Sequence, residues 1–150
     1  MSEMDYTRNL FETLGALRSA MAWLERSMQI CASMPLEGEI SAEDHDAFEA
    51  FTSRFARAGD VLVQKVLRAL DAVELEDGGT LIDAVNRAEK RGLIDSVEQL
   101  REIRELRNEI AHEYALQDLR NLFADVRKFS PQLVAIAQRV DLYCRRYAKP

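Results

Sequence analysis

Few residues in this chain punctuate or staple a fold: 150 positions include two cysteines, three prolines and six glycines. With only Cys31 and Cys144, each on an apolar helical stretch, a disulfide-rich secreted scaffold is excluded and buried thiols in a reducing compartment are expected. There are two histidines and no Cys/His cluster, so neither a metal nor a cofactor is expected. The longest uncharged runs, 27–36 and 129–138, are about half as long as a membrane span requires. The opening MSEMDYTRNL carries acids and lacks the basic-then-apolar order of a signal peptide. Internal repeats, low-complexity segments, linkers and β-alternation are also missing. These absences predict a cytoplasmic protein with no membrane contact, built as one domain over residues 1–150.

Basic residues are the minority, 20 against 26 acids, for a net charge of −6. That balance excludes a uniformly basic nucleic-acid coat protein. The average hides a gradient, since residues 1–80 carry −8 and residues 120–150 carry +5. Arg120, Arg127, Lys128, Arg139, Arg145, Arg146 and Lys149 therefore predict a local basic surface on the last helix. A solvated face that pairs with neighbouring acids is the equally weighted alternative.

Helical periodicity fills what remains. Leu10, Leu14, Leu17, Met21, Leu24, Met28 and Cys31 recur at spacings of four and three, which puts them on one helix face, with Trp23 and Ile30 widening it. A second helix opens at Ser41, a good cap with Glu43 and Asp44 in its first turn. Its stripe runs Phe48, Phe51, Phe55, Ala58, Leu62, Val66, Ala69 and Val73, and it should lie antiparallel to the first. A turn at Asp77-Gly78-Gly79 leads to a short helix capped by Thr80 and ended by Gly92. Asp95 or Ser96 caps the fourth, with Gln99 placed as in a capping box. The last stripe, Leu116 to Tyr147, is interrupted by Ser130-Pro131, predicting a kink or two consecutive helices. The expected fold class is all-α, a bundle of four long helices and one short one.

Of the histidines, His45 lies among acids at a helix start and is expected at the surface. His112 closes the run Arg104-Glu105-Leu106-Arg107-Asn108-Glu109-Ile110-Ala111-His112-Glu113-Tyr114. Asn108 and His112 share a helix face with Arg104 one turn earlier, and Arg107 is about 140° away on an ideal helix. A fixed cation, an amide, an imidazole and a phenol at one helix end suit metal-free phosphodiester cleavage, in which His moves a proton and Arg holds phosphate oxygens. The plainer alternative pairs Arg107 with a glutamate on its own helix, leaves His112 as a helix C-terminal cation and buries Tyr114.

Arg107-Asn108-Glu109-Ile110-Ala111-His112-Glu113-Tyr114 resembles the R-x4-H-x-Y signature of the HEPN superfamily, in the branch of HepT-like toxins. The polar residue after the arginine and the motif's place near the end of a late helix extend the resemblance over most of the chain. It implies a metal-independent endoribonuclease toxin in which Arg107 and His112 are catalytic and Asn108 is supporting. It also implies a homodimer whose interface forms the cleft, RNA rather than DNA as substrate, and a partner nucleotidyltransferase of the MNT type as antitoxin. That partner would silence the toxin by adding AMP to Tyr114. Related HEPN proteins are non-catalytic subunits that bind a nucleotidyltransferase, which is the alternative function. A bundle in which Arg107 and His112 are merely structural is a third.

Overall fold

The computed structural model describes residues 2–74, 79–111 and 116–148, with the side chains of 116–118 left aside. Six α-helices follow in order: α1 (Glu3–Cys31), α2 (Ala42–Asp60), α3 (Leu67–Val73), α4 (Leu81–Lys90), α5 (Val97–Glu109) and α6 (Leu116–Cys144). A π-helical segment, Val61–Val66, joins α2 to α3, so the two form one rod. A short 3-10 turn, Arg145–Tyr147, closes the chain. Counting that rod once, the molecule is an all-α bundle of four long helices and a short α4, with no strand among the described residues. Among the same residues, no helix is long and apolar enough to cross a membrane.

Helix starts follow local chemistry. The Ser41, Thr80 and Ser96 hydroxyls accept from the amides of Asp44, Asp83 and Gln99 respectively, satisfying amides that have no partner inside the helix. Asp83 returns a bond to the Thr80 amide, completing a capping box, and these contacts hold its carboxyl below the usual range. At α5 the return bond goes one residue further back, from the Asp95 amide to Gln99 Oε1. Gly92 ends the α4 turn with φ of 76°, the left-handed conformation that glycine adopts without strain.

The core is continuous. Leu10, Leu14, Leu17 and Leu24 of α1 meet Phe48, Phe51 and Phe55 of α2, and Phe123, Val126, Leu133 and Val140 of α6 close over them. The α2–π–α3 rod stays against α1 along all three of its segments, as an antiparallel neighbour must. Cys31 and Cys144 are buried and unpaired. Burial pushes the Cys144 thiol up to about 12.

One expectation is corrected and two are narrowed to one of their alternatives. Trp23 and Ile30 do not widen the α1 core stripe: they are 52% and 43% exposed, because the neighbouring helices cover only the strict three-and-four stripe. Of the kink or two helices expected at Ser130-Pro131, two separate helices are excluded, since α6 runs through Pro131 as one helix. Buried Ser130 donates its hydroxyl to the Val126 carbonyl at 2.6 Å, and Phe123, Val126, Leu133 and Val140 on both sides of the proline enter the same core. Packing therefore prevails over the local break. Of the two readings weighed equally for the C-terminal arginines, pairing prevails, since most of them are committed to protein partners. Arg127 donates to the Cys31 and Met34 carbonyls at the end of α1, where helix carbonyls lack partners. Arg120 donates to the Leu36 carbonyl, and Arg139 and Arg145 pair with Asp95 and Asp141. Lys149 lies outside the described residues.

Candidate functional site

Arg107 is on the last turn of α5, facing the rod. Its Nε and one terminal nitrogen donate to Asp60 Oδ1 and Oδ2 at 2.8 and 2.9 Å, a two-point fork on one carboxylate. This pair crosses from α5 to α2 and replaces the expected partner on Arg107's own helix. The bonds to Asp60 raise the Arg107 pKa further, so the side chain is a permanent cation. The pair is partly open to solvent, with 31% of the Arg107 side chain and 39% of the Asp60 side chain exposed.

Asp60 owes its position to the π segment. The Leu67 amide bonds to the Leu62 carbonyl, five residues back, and this widened turn begins directly after Asp60. Short π turns inside α-helices are frequent at functional sites. Leu62, Val63, Val66 and Leu67 all point inward there. Arg107 and Asp60 line a groove of about 400 Å³ with Arg57, Val61, Gln64 and Lys65. Among the described residues Arg57 and Lys65 make no ion pair or side-chain hydrogen bond.

Arg104, one turn earlier on α5, is half-buried and lies close enough to feel both members of the pair. Burial lowers its pKa, with the like charge of Arg107 adding to the effect and Asp60 opposing it. Two arginines thus share the field of one aspartate. Asn108 diverges from Arg107: it is exposed and faces a separate groove between α4 and α5, beside Leu81, Ile82 and Arg104. The backbone turns out of α5 at Ile110, whose amide bonds to the Leu106 carbonyl, and Ala111 bonds to the Asn108 carbonyl. His112 and Tyr114, the remaining predicted site residues, lie outside the described residues. Glu109 is exposed and pairs with neither Arg104 nor Arg107 among the described residues.

Asp60 and the exposed face around it escaped sequence reasoning. The signal was present in the composition of one helix face: Arg54, Arg57, Lys65 and Arg68 surround a single acid, Asp60, inside the more acidic half of the chain. His45, expected at the surface, is instead half-buried and edge-on to Phe123, with ring centroids 5.8 Å apart. It shares ligand-atom distances within 4.8 Å with Asp46 and Glu49, an open cluster at a helix start.

The Arg107 groove is partly open, cationic and carried on the α2–π–α3 rod, an arrangement able to hold a phosphodiester through charge and directed N–H groups. No protein-family model matches this chain, and no curated protein or solved structure matches it either.

Proposed function

We propose that this chain is a metal-independent endoribonuclease of the HEPN type, acting as a toxin and paired with an MNT-type nucleotidyltransferase antitoxin. The observation that carries the reading is the presentation of Arg107. Asp60 holds two of its three nitrogens and the third, Nη1, has no protein partner among the described residues. The guanidinium is thereby fixed in direction and charge while keeping a donor for a phosphate oxygen. Fixed donors of this kind stabilise developing charge without reorganising during the reaction.

His112, five residues on, supplies proton transfer. It takes the proton of a ribose 2′-hydroxyl as that oxygen bonds to the adjacent phosphorus. The bond from phosphorus to the 5′-oxygen breaks, and the leaving oxygen takes the proton that His112 accepted, which returns the imidazole to its neutral form. The products are a 2′,3′-cyclic phosphate and a 5′-hydroxyl. Arg107 counters the negative charge on the phosphorus oxygens, and Asn108 orients the imidazole or the scissile phosphate. A homodimer would bring two such sets to one cleft. AMP on Tyr114, two residues from His112, would add bulk and negative charge there and repel RNA.

The test is incubation of the purified full chain with RNA in EDTA. Wild type is expected to cleave, and Arg107→Ala and His112→Ala are expected not to. Absence of cleavage by wild type, or its survival in His112→Ala, overturns the reading. Coexpression with the proposed MNT-type partner should add one AMP to Tyr114 by intact mass. One observation favours the alternative, a non-catalytic HEPN subunit: Asp60 already occupies the fork of Arg107. Tight binding to the nucleotidyltransferase without RNA turnover by the free chain selects that alternative.

A further inference from the structure

Trp23 is the only tryptophan of the chain and stands half out of the fold on α1. One side of its ring is covered by Arg54, whose guanidinium carbon lies 5.0 Å from the ring centroid. Arg54 is itself held by a 2.8 Å bond to the hydroxyl of buried Ser27. The ring is thus propped from behind by a fixed cation. Trp23, Arg54 and Arg57 line a shallow hollow with Ala20, and Arg57 also lines the groove that holds Lys65 and Arg107. The two depressions meet at Arg57 and make one continuous path across α1 and α2.

Charge decides what fits this path. It carries Arg54, Arg57, Lys65 and Arg107, against a single acid, Asp60, already committed to Arg107. In a chain of net charge −6, this is an unbalanced cationic face with an aromatic plate at one end. A second copy laid flat over Trp23, Arg57 and Lys65 around a twofold axis would set each cation near its own duplicate, a repulsive arrangement, so the homodimer proposed above would close at the Arg107 end and leave the rest of the path uncovered. A duplex would satisfy the cations but hide its bases from Trp23. A single strand satisfies both, with phosphates along the cations and an unstacked base on the ring.

We propose that Trp23, Arg57 and Lys65 form a track for single-stranded RNA that leads to Arg107, with Trp23 as the platform on which a base stacks. The proposal rests on the ribonuclease reading above and deepens it by assigning the substrate's path outside the reacting phosphate. Strand polarity and base identity play no part in it, because every base has a face to stack and every phosphate the same charge.

The test uses the full chain carrying His112→Ala, so that RNA is not consumed, and a single-stranded RNA twelve-mer. Because Trp23 is the sole tryptophan, its fluorescence reports directly on the platform. Saturable quenching by the single strand is expected, and little by the same sequence as a duplex. Anisotropy of a labelled twelve-mer should show about tenfold weaker binding in Trp23→Ala. Arg57→Gln and Lys65→Gln should each reduce the slope of log K against log salt by about 0.7. Ile30→Ala, an exposed apolar change on the same helix but off the track, should leave affinity unchanged.

Unchanged affinity in Trp23→Ala and in Arg57→Gln, both with wild-type circular dichroism, overturns the track. So does loss of a dimer by sedimentation in Trp23→Ala, which would assign the face to a second copy. The two proposals fail separately. Trp23-dependent RNA binding in a wild type that never cleaves keeps the track and removes the ribonuclease. Cleavage with a KM indifferent to Trp23 and Arg57 does the reverse.

Discussion

Two arginine–carboxylate clusters sit on the same α2–π–α3 rod and behave as opposites. At its far end Asp71, only 3% exposed, accepts from Arg87 at 2.8 Å and Arg91 at 2.7 Å. Glu74 beside it accepts from Arg91 Nε at 2.6 Å and from the hydroxyls of Tyr143 and Tyr147. Arg146 lies over the Tyr143 ring. Each carboxylate oxygen there has a donor, and α3, α4 and α6 are tied together. Nearer the middle of the rod, at the end of α2, Asp60 meets Arg107 alone, in a groove open to solvent, with Arg57 and Lys65 left without partners among the described residues. A saturated ion network has no capacity left for a ligand. An unsaturated one with spare donors does, and that contrast separates the part of the molecule that holds the fold from the part proposed to hold RNA.

The comparison can be broken from either side. Asp71→Ala removes the buried carboxylate that joins Arg87 to Arg91, leaving Arg91 with Glu74, and removing one partner of a buried pair costs about 3–5 kcal/mol. Urea unfolding should show that loss, and a change below about 1 kcal/mol would mean the network is not the clamp described. Arg107→Ala should do the converse. RNA cleavage should fall about 10²–10³-fold, equivalent to about 2.7–4 kcal/mol of transition-state stabilisation. Its unfolding free energy should move by less than about 1 kcal/mol, as for exposed pairs. A collapse of stability in that variant would make Arg107 a structural staple.

Alkali offers a graded version of the same contrast. Burial raises the Cys144 thiol from 9.0 to about 12 and also raises the hydroxyls of Tyr143 and Tyr147, with Glu74 adding to both. These groups keep protons in the fold that the unfolded chain gives up earlier. Their contribution to stability is therefore complete below pH 9 and declines as pH climbs from there towards 12. Urea midpoints at pH 8, 10 and 11 should fall in that order. Cys144→Ala should flatten the decline, whereas Arg107→Ala should not, because Asp60 pushes that arginine upward and away from the window.

The smallest effect is expected at Asp60. Asp60→Asn keeps an acceptor but removes the anion, so stability should change by less than about 1 kcal/mol. The KM for RNA should drop a few-fold as repulsion is relieved, and kcat should drop with it as Arg107 loses its restraint. A fall in kcat without any change in KM would show that the Asp60 charge does not reach the substrate.

What could be read from the residues alone was local. Ser41, Thr80, Ser96 and Gly92 work through neighbours within a turn, and the stripe from Leu10 to Cys31 needs only the helical period, so caps and core faces emerged as expected. Partners across helices did not, because Arg107 could reach a glutamate on α5 or any acid on a packed neighbour, and only packing register selects Asp60. The same holds for Arg120 and Arg127, whose targets are carbonyls that carry no sequence signature. Trp23 was misjudged for a related reason: a flanking aromatic is core or surface according to how far the next helix overlaps it. Arg107 and Asn108, adjacent in sequence, face different grooves, so the proposed supporting role of Asn108 rests on the motif alone.

The π segment between Asp60 and Asp71 works as a change of bearing. On an unbroken α-helix, residues eleven apart come back to within about 20° of one another, so the two aspartates would look the same way and compete for one set of arginines. The wide turn absorbs one residue, which swings everything beyond it by about 100°. Asp60 can then look towards α5 while Asp71 looks towards α4. One rod thereby serves two neighbours, and deleting a single residue within Val61–Val66 would turn its clamp and its groove onto the same side.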